Sequence, residues 1–401
     1  MFANCFFILK NRYIRFEMFY NYIDENFITN LLKKKNIKNC DEILNDIEKL
    51  VKDSVATKIK EYQNKNRIIK NDETKIKFEA IKKLSKEQIK TLPSWVKDDI
   101  EKAYVIGESK NVIMTSDGKK YSLQNKLNDL SGGEWTYFLN SVISTKYLTS
   151  GDDSYAHHIR KIHPSPKPPQ LMRDIIKFFT KENELVFDFF AGVGGTLLGA
   201  SLCNRKAIGI DLNQNYINAY QQANKYLNLK EQKFICGNSL EILKDNKQIN
   251  QIFDSEKASL ILIDPPYGDM MARNKTGEAV KKGKDTSPTP FTNLEVDLGN
   301  MEWNKFLIYF KQSIVDSMQY LKDKGHIVVF IKDMQPNKKS TNLLHADVIN
   351  ELNSLKNLRY LGTKIWADLN VNLYPYGYPH AFVANQIHQY IMIFRKESLE
   401  K

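Results

Sequence analysis

The apolar run Ala258-Ser259-Leu260-Ile261-Leu262-Ile263, followed at once by Asp264-Pro265-Pro266-Tyr267, is the tightest constraint on how this chain can fold. A short continuous apolar run reads as a strand covered on both faces, the mark of a parallel sheet. Pro265 and Pro266 lock φ and lack N–H groups, so pairing stops there and the carbonyls can face a ligand. A carboxylate, two prolines and an aromatic ring at such a strand end suit the holding of a flat, amino-bearing ring such as a nucleobase. Asp264 can accept from an exocyclic amine, and Tyr267 offers a face for stacking. A strand that simply ends in a Pro-rich turn would carry the same residues.

Upstream, Glu184-Leu185-Val186-Phe187-Asp188-Phe189-Phe190-Ala191-Gly192-Val193-Gly194-Gly195-Thr196 reads as strand, glycine turn and helix start. Glycines let the backbone turn tightly and approach a ligand, with helix N–H groups behind it. A second strand, Ala207-Ile208-Gly209-Ile210-Asp211, ends in an acid about 20 residues past the glycines, the Rossmann-like place for a residue that takes ribose hydroxyls. The glycines do not make G-x-G-x-x-G, and no Lys-Ser/Thr pair makes a P-loop. Further strands are expected at about 233–236, 258–263 and 326–331, with a closing strand at 390–394. Helices are expected over 168–180 and 301–321. Alternating strands and helices give a mostly parallel sheet covered on both faces, with ligands beyond the strand carboxyl ends.

At this point the chain resembles the S-adenosylmethionine-dependent amino-methyltransferases of DNA, over about residues 131–397. Phe190-Ala191-Gly192-Val193-Gly194 is similar to that family's cofactor loop, and Asp264-Pro265-Pro266-Tyr267 to its catalytic motif. His163-Pro164-Ser165-Pro166-Lys167-Pro168-Pro169 is similar to the segment preceding the loop. The resemblance implies an α/β, Rossmann-like methyltransferase fold with a mainly helical N-terminal region. It implies that Asp264, Pro265, Pro266 and Tyr267 carry catalysis on a base flipped out of duplex DNA, with adenine N6 preferred over cytosine N4. Asp188 would meet the methionine amino group, with Phe190, Ala191, Gly192 and Gly194 around the methionine moiety and Asp211 on the ribose. Asn238 stands where the family more often has an acid toward the cofactor adenine. His163 and Lys167 would orient the cofactor or touch phosphate, a plain loop-turn role being the other option. A cognate restriction endonuclease is the partner such an enzyme implies. An RNA base methyltransferase, since Asp-Pro-Pro-Tyr occurs there too, and a non-catalytic nucleic-acid-binding subunit remain as alternatives.

The formal net charge of +12 in 401 residues favours a polyanionic partner, although lysine is abundant throughout. The four cysteines, at 5, 40, 203 and 236, form no C-x-x-C pair, so neither zinc nor a disulfide framework is expected. No metal site is expected. No run reaches membrane-span length, and a cytoplasmic setting follows. Two domains are expected, 1–130 mainly helical and basic, 131–401 the methyltransferase domain. Asp41 to Lys70 repeats apolar residues at helical steps, and 111–122 reads as a hairpin around Asp117-Gly118. With no long segment between cofactor loop and catalytic motif, target recognition is expected from 1–130, 270–300 or 334–372. Tyr376, Tyr378, His380 and Phe382 are candidates for lining the base pocket.

Overall fold

The computed structural model describes residues 84–106, 111–269, 287, 290–333 and 343–398. The chain clusters into two compact units, Met1–Lys83 and Leu84–Lys401. The helix expected over 41–70 and the basic cluster 273–284 lie outside the described residues.

Eleven strands are described. β1 (Tyr104–Ile106), β2 (Val112–Met114) and β3 (Lys120–Ser122) make a small antiparallel sheet. Its second hairpin is the one expected around Asp117-Gly118: Gly118 takes a positive φ of 88°, and the Thr115 N–H donates to the Lys119 carbonyl at 2.9 Å. The large sheet holds β4 (Val142–Thr145), β5 (Leu185–Asp188), β6 (Lys206–Asp211), β7 (Lys233–Cys236), β8 (Ala258–Ile263), β9 (Leu321–Ile331), β10 (Leu358–Asp368) and β11 (His388–Lys396). Their spatial order is β4-β10-β11-β9-β8-β5-β6-β7. All pairs are parallel except those that β11 makes with β9 and β10.

Strand periodicity sorts the apolar residues into two cores. Odd-numbered positions such as Phe187, Ile261, Ile263, Val329 and Ile331 face α4 (Asn246–Phe253), α5 (Trp303–Ser317) and α6 (Leu344–Asn353). Even-numbered positions such as Val186, Leu260, Leu262, Val328 and Phe330 face α1 (Pro169–Phe179), α2 (Gly195–Ser201) and α3 (Gln214–Tyr226). Burial on both faces is why β5 and β8 are continuously apolar. Helix α1 starts on Pro169, where a missing N–H costs nothing, and turns Leu171, Met172, Ile175, Ile176 and Phe179 inward.

Sequence reading did not anticipate β4, β10 or α6. β10 reads Leu-Arg-Tyr-Leu-Gly-Thr-Lys-Ile-Trp-Ala-Asp, half buried near the sheet edge, so its apolar pattern is diluted. Within 334–372, offered as a recognition segment, the described residues 343–372 therefore include a strand and a helix of the core. No helix among the described residues is long and apolar enough to cross a membrane.

Arg205 is buried and ties Asp129, Thr180 and Cys203 together. Its guanidinium donates to Asp129 Oδ2 and the Thr180 carbonyl, both at 3.0 Å, and to the Cys203 carbonyl at 2.6 Å. Removing one partner of such a pair strands a buried charge. Asp129→Ala should lower unfolding free energy by about 3–5 kcal/mol in urea titrations. A loss under about 1 kcal/mol, the range of exposed pairs, would contradict this placement.

Candidate active site

Because β5 pairs in parallel with both β6 and β8, the carboxyl ends of these strands stand side by side. Each ends in an acid or hands over to one: Asp188, Asp211 and Asp264. The turn after β5 is built on the first two. Asp188 Oδ1 accepts from the Phe190 N–H at 3.0 Å, and Oδ2 from the Thr196 hydroxyl at 2.5 Å. Asp211 Oδ2 accepts from the Gly192 N–H at 2.8 Å, and Oδ1 from the Asn213 N–H at 2.9 Å. Gly194 has φ +72°, and a Cβ there would sit 2.3 Å from the Tyr220 ring, so only glycine allows the turn. Burial pushes the Asp188 carboxyl up to about 7, with the fields of Asp264 and Asp211 adding to it. Burial likewise raises Asp211, to about 6, against the two N–H groups that favour its charge.

The His163–Lys167 segment crosses above this turn. The His163 ring stacks on Phe291, with centroids 5.1 Å apart, and meets Tyr216 edge-on at 4.9 Å. Burial lowers its pKa to about 4, so the imidazole is neutral, with Nδ1 accepting from the Ser165 N–H at 3.1 Å. Lys167 is buried, and its ammonium donates to Asp264 Oδ2. Its backbone is pinned by Arg160, whose Nη1 donates to the Lys167 carbonyl at 2.9 Å. Arg160 is 1% exposed, a role that its surface-like sequence context (His-His-Ile-Arg-Lys) does not signal.

At the end of β8, the Tyr267 hydroxyl donates to Asp264 Oδ1 at 2.7 Å, while its ring packs against the core that holds Ile263 and Phe306. Burial and the Asp264 charge raise the Tyr267 phenol well above its ordinary range, so it stays a donor. Gly299 packs against Pro266 and Phe291, and Asp297 accepts from the Gly299 N–H and the Thr292 hydroxyl, both at 2.7 Å. The segment after the catalytic motif therefore folds back over the prolines and His163.

One cleft of about 320 Å³, counting its open mouth, takes in His163, Lys167, Asp188, Phe190, Ala191, Gly192 and Asp264. Asp211 stands behind Gly192, and Gly194 at the helix start. Asn238 does not line this cleft and follows the end of β7. Its side chain caps the short helix Ser239–Ile242, accepting from the Leu240 N–H at 3.1 Å. The aromatic stretch 376–382 does not close over a pocket either: Tyr378 is 81% and Phe382 95% exposed.

Parallel strands, a glycine turn tied to two acids and a further carboxylate at the adjacent strand end give a Rossmann-like α/β site. The profile of the family described as DNA methylase matches residues 4–222, more than half of the chain, and the chain belongs to that family. S-adenosylmethionine is the cofactor this membership assigns. The match takes in His163, Lys167 and the glycine turn, and Asp264 lies beyond it. Among similar proteins, a tRNA (guanine(10)-N2)-dimethyltransferase from Methanocaldococcus jannaschii is 29% identical over 160 residues, 39% of this chain and 43% of that one. Type II methyltransferase M.HindIII from Haemophilus influenzae is 41% identical over 71 residues, 18% and 21% of the two chains. Type II methyltransferase M1.MboII from Moraxella bovis is 40% identical over 73 residues, 18% and 27%. The chain thus spans less than half the length of these relatives. The solved structure of TrmN from Thermus thermophilus aligns with a TM-score of 0.37 at 12% identity, over 60% of this chain and 52% of that one.

The raised Asp188 pKa has a signed consequence. Its folded value of about 7 exceeds the ordinary 3.8, so its protonated form favours folding. That contribution is complete below pH 3.8 and is lost as pH rises through about 7. Asp188→Asn should therefore gain stability relative to the parent between pH 5 and pH 8, read by urea unfolding at each pH. A constant difference across that range would contradict the shift.

Proposed function

We propose that this protein transfers a methyl group from S-adenosylmethionine to the exocyclic amine of a base in DNA, with adenine N6 as first choice and cytosine N4 as second. The observation that carries the reading is that Asp264 opens into the same cleft as the glycine turn. The chemistry of the residues fits the donor: acids for its ammonium and ribose hydroxyls, glycine backbone for close approach, and one lysine for its carboxylate. When bound, the donor supplies an electrophilic methyl group on a sulfonium.

The remaining work falls to the protein. An amine conjugated with an aromatic ring is a poor nucleophile, because its lone pair is delocalised. Accepting its two N–H groups at Asp264 and the Pro265 carbonyl would favour a pyramidal nitrogen whose lone pair faces the methyl. Those contacts strengthen as positive charge develops on nitrogen, so they lower the barrier rather than merely bind substrate. Tyr267 fixes the carboxylate through Oδ1 and so presents Oδ2 toward the cleft. Pro265, with its fixed φ, and Pro266, packed under Gly299, stiffen the strand end on which positioning depends. His163, Lys167, Asp188, Phe190, Ala191, Gly192, Gly194 and Asp211 form the donor side in this reading, and Asn238 contributes through its helix cap. A base in duplex must leave the stack to reach Asp264.

A base in RNA is the second reading, favoured by the tRNA-modifying relative. Target reading is assigned to residues 1–130, with the methyltransferase domain at 131–401, and to 270–300. A companion endonuclease belongs to the DNA reading. With a net charge of +12, nucleic-acid affinity should fall steeply with salt.

Tritiated methyl incorporation into unmethylated DNA and into tRNA separates the two substrates, and DNA labelling is expected. Asp264→Ala should reduce labelling by at least about a thousandfold while S-adenosylhomocysteine still binds in calorimetry. Equal loss of both would give Asp264 a structural role instead.

A further inference from the structure

Among the described residues that line the cleft, Lys167 is the only lysine or arginine, and it is already engaged, with its ammonium on Asp264 Oδ2. The other Asp264 oxygen is held by Tyr267. As it stands, then, the carboxylate that must receive the target amine has both oxygens occupied. The donor, for its part, brings a carboxylate into a cleft whose other charged walls are acids, Asp188 and Asp264. His163, the remaining basic side chain there, is neutral (burial brings its pKa down to about 4). One cation thus serves two anions that must be satisfied in turn.

We propose, on the reading given under Proposed function, that Lys167 is a positioning residue that exchanges between Asp264 in the empty enzyme and the donor carboxylate in the loaded one. Donor binding thereby frees Asp264 Oδ2 for the target amine and sets the order of binding, donor first. No bond is made or broken in the exchange; one ammonium trades one carboxylate for another. Two features permit it. The Lys167 backbone stays fixed by Arg160, so only the side chain has to move. The backbone carbonyl of Lys167 also packs where a Cβ on Gly195 would be only 2.9 Å away, directly beside the glycine turn.

By linkage, whatever holds Lys167 on Asp264 must compete with the donor carboxylate. Calorimetry with S-adenosylhomocysteine and with its decarboxylated analogue reads this without any turnover. Asp264→Asn removes the competing charge and should tighten S-adenosylhomocysteine binding by at least about fivefold, leaving the decarboxylated analogue unchanged. In a Lys167→Met background the same substitution should change neither affinity, and that double variant leaves no buried charge unpaired. An Asp264→Asn variant whose affinity for S-adenosylhomocysteine is unchanged, or which gains equally for both ligands, overturns the exchange while leaving the donor site standing. Failure of every form, the parent included, to bind S-adenosylhomocysteine would remove the donor reading and this inference with it.

Discussion

Parallel pairing of β5 with both β6 and β8 is the constraint on which the site depends. Parallel strands must be joined by crossovers, so their carboxyl ends collect at one edge while the connections run elsewhere. At that edge the chain places Asp188, Asp211 and Asp264 within a few residues of strand ends that have no freedom to move. β5 and β8 are buried on both faces, and their positions are set by packing against helices on either side. The rigidity of the cleft is inherited from the sheet.

Gathering carboxylates in a partly buried cleft is electrostatically unfavourable, and the fold offsets it locally. Asp188 and Asp211 are turned onto backbone N–H groups and the Thr196 hydroxyl, and burial still raises both pKa values. Asp264 is treated differently: it receives a phenol and an ammonium. A cationic ligand suits the first two acids, and an amine the third. In the proposed reading, this distribution of charge gives the cleft a donor side and an acceptor side, with Lys167 bound to Asp264.

How much of this was legible in the sequence follows from the range of each interaction. The glycine turn, the acids at strand ends and the Pro-Pro stop are local signals, and the structure has them at strand ends as read. The even and odd apolar positions of β5 and β8 announced burial on two faces. Lys167, by contrast, meets Asp264 across 97 residues of chain, and no local pattern could name that partner. Arg160 is invisible for a related reason: His157, His158 and Lys161 around it are polar, and only the fold buries it. Asn238 was read as a substitute for an acid, and its second use, as the cap of the helix after β7, was not read. β10 escaped notice because Arg359, Thr363 and Lys364 interrupt its apolar pattern; Lys364 is nonetheless buried, donating to the Phe138 and Asn140 carbonyls.

Hydrogen exchange with and without S-adenosylhomocysteine tests most directly whether donor turn and acceptor carboxylate share one crevice. Peptides spanning 188–196 and 264–269 lie on different strands and should slow together on addition of the ligand, with 163–167 alongside them. Slowing confined to another part of the chain, or in the glycine turn with no change around Asp264, would contradict a shared crevice.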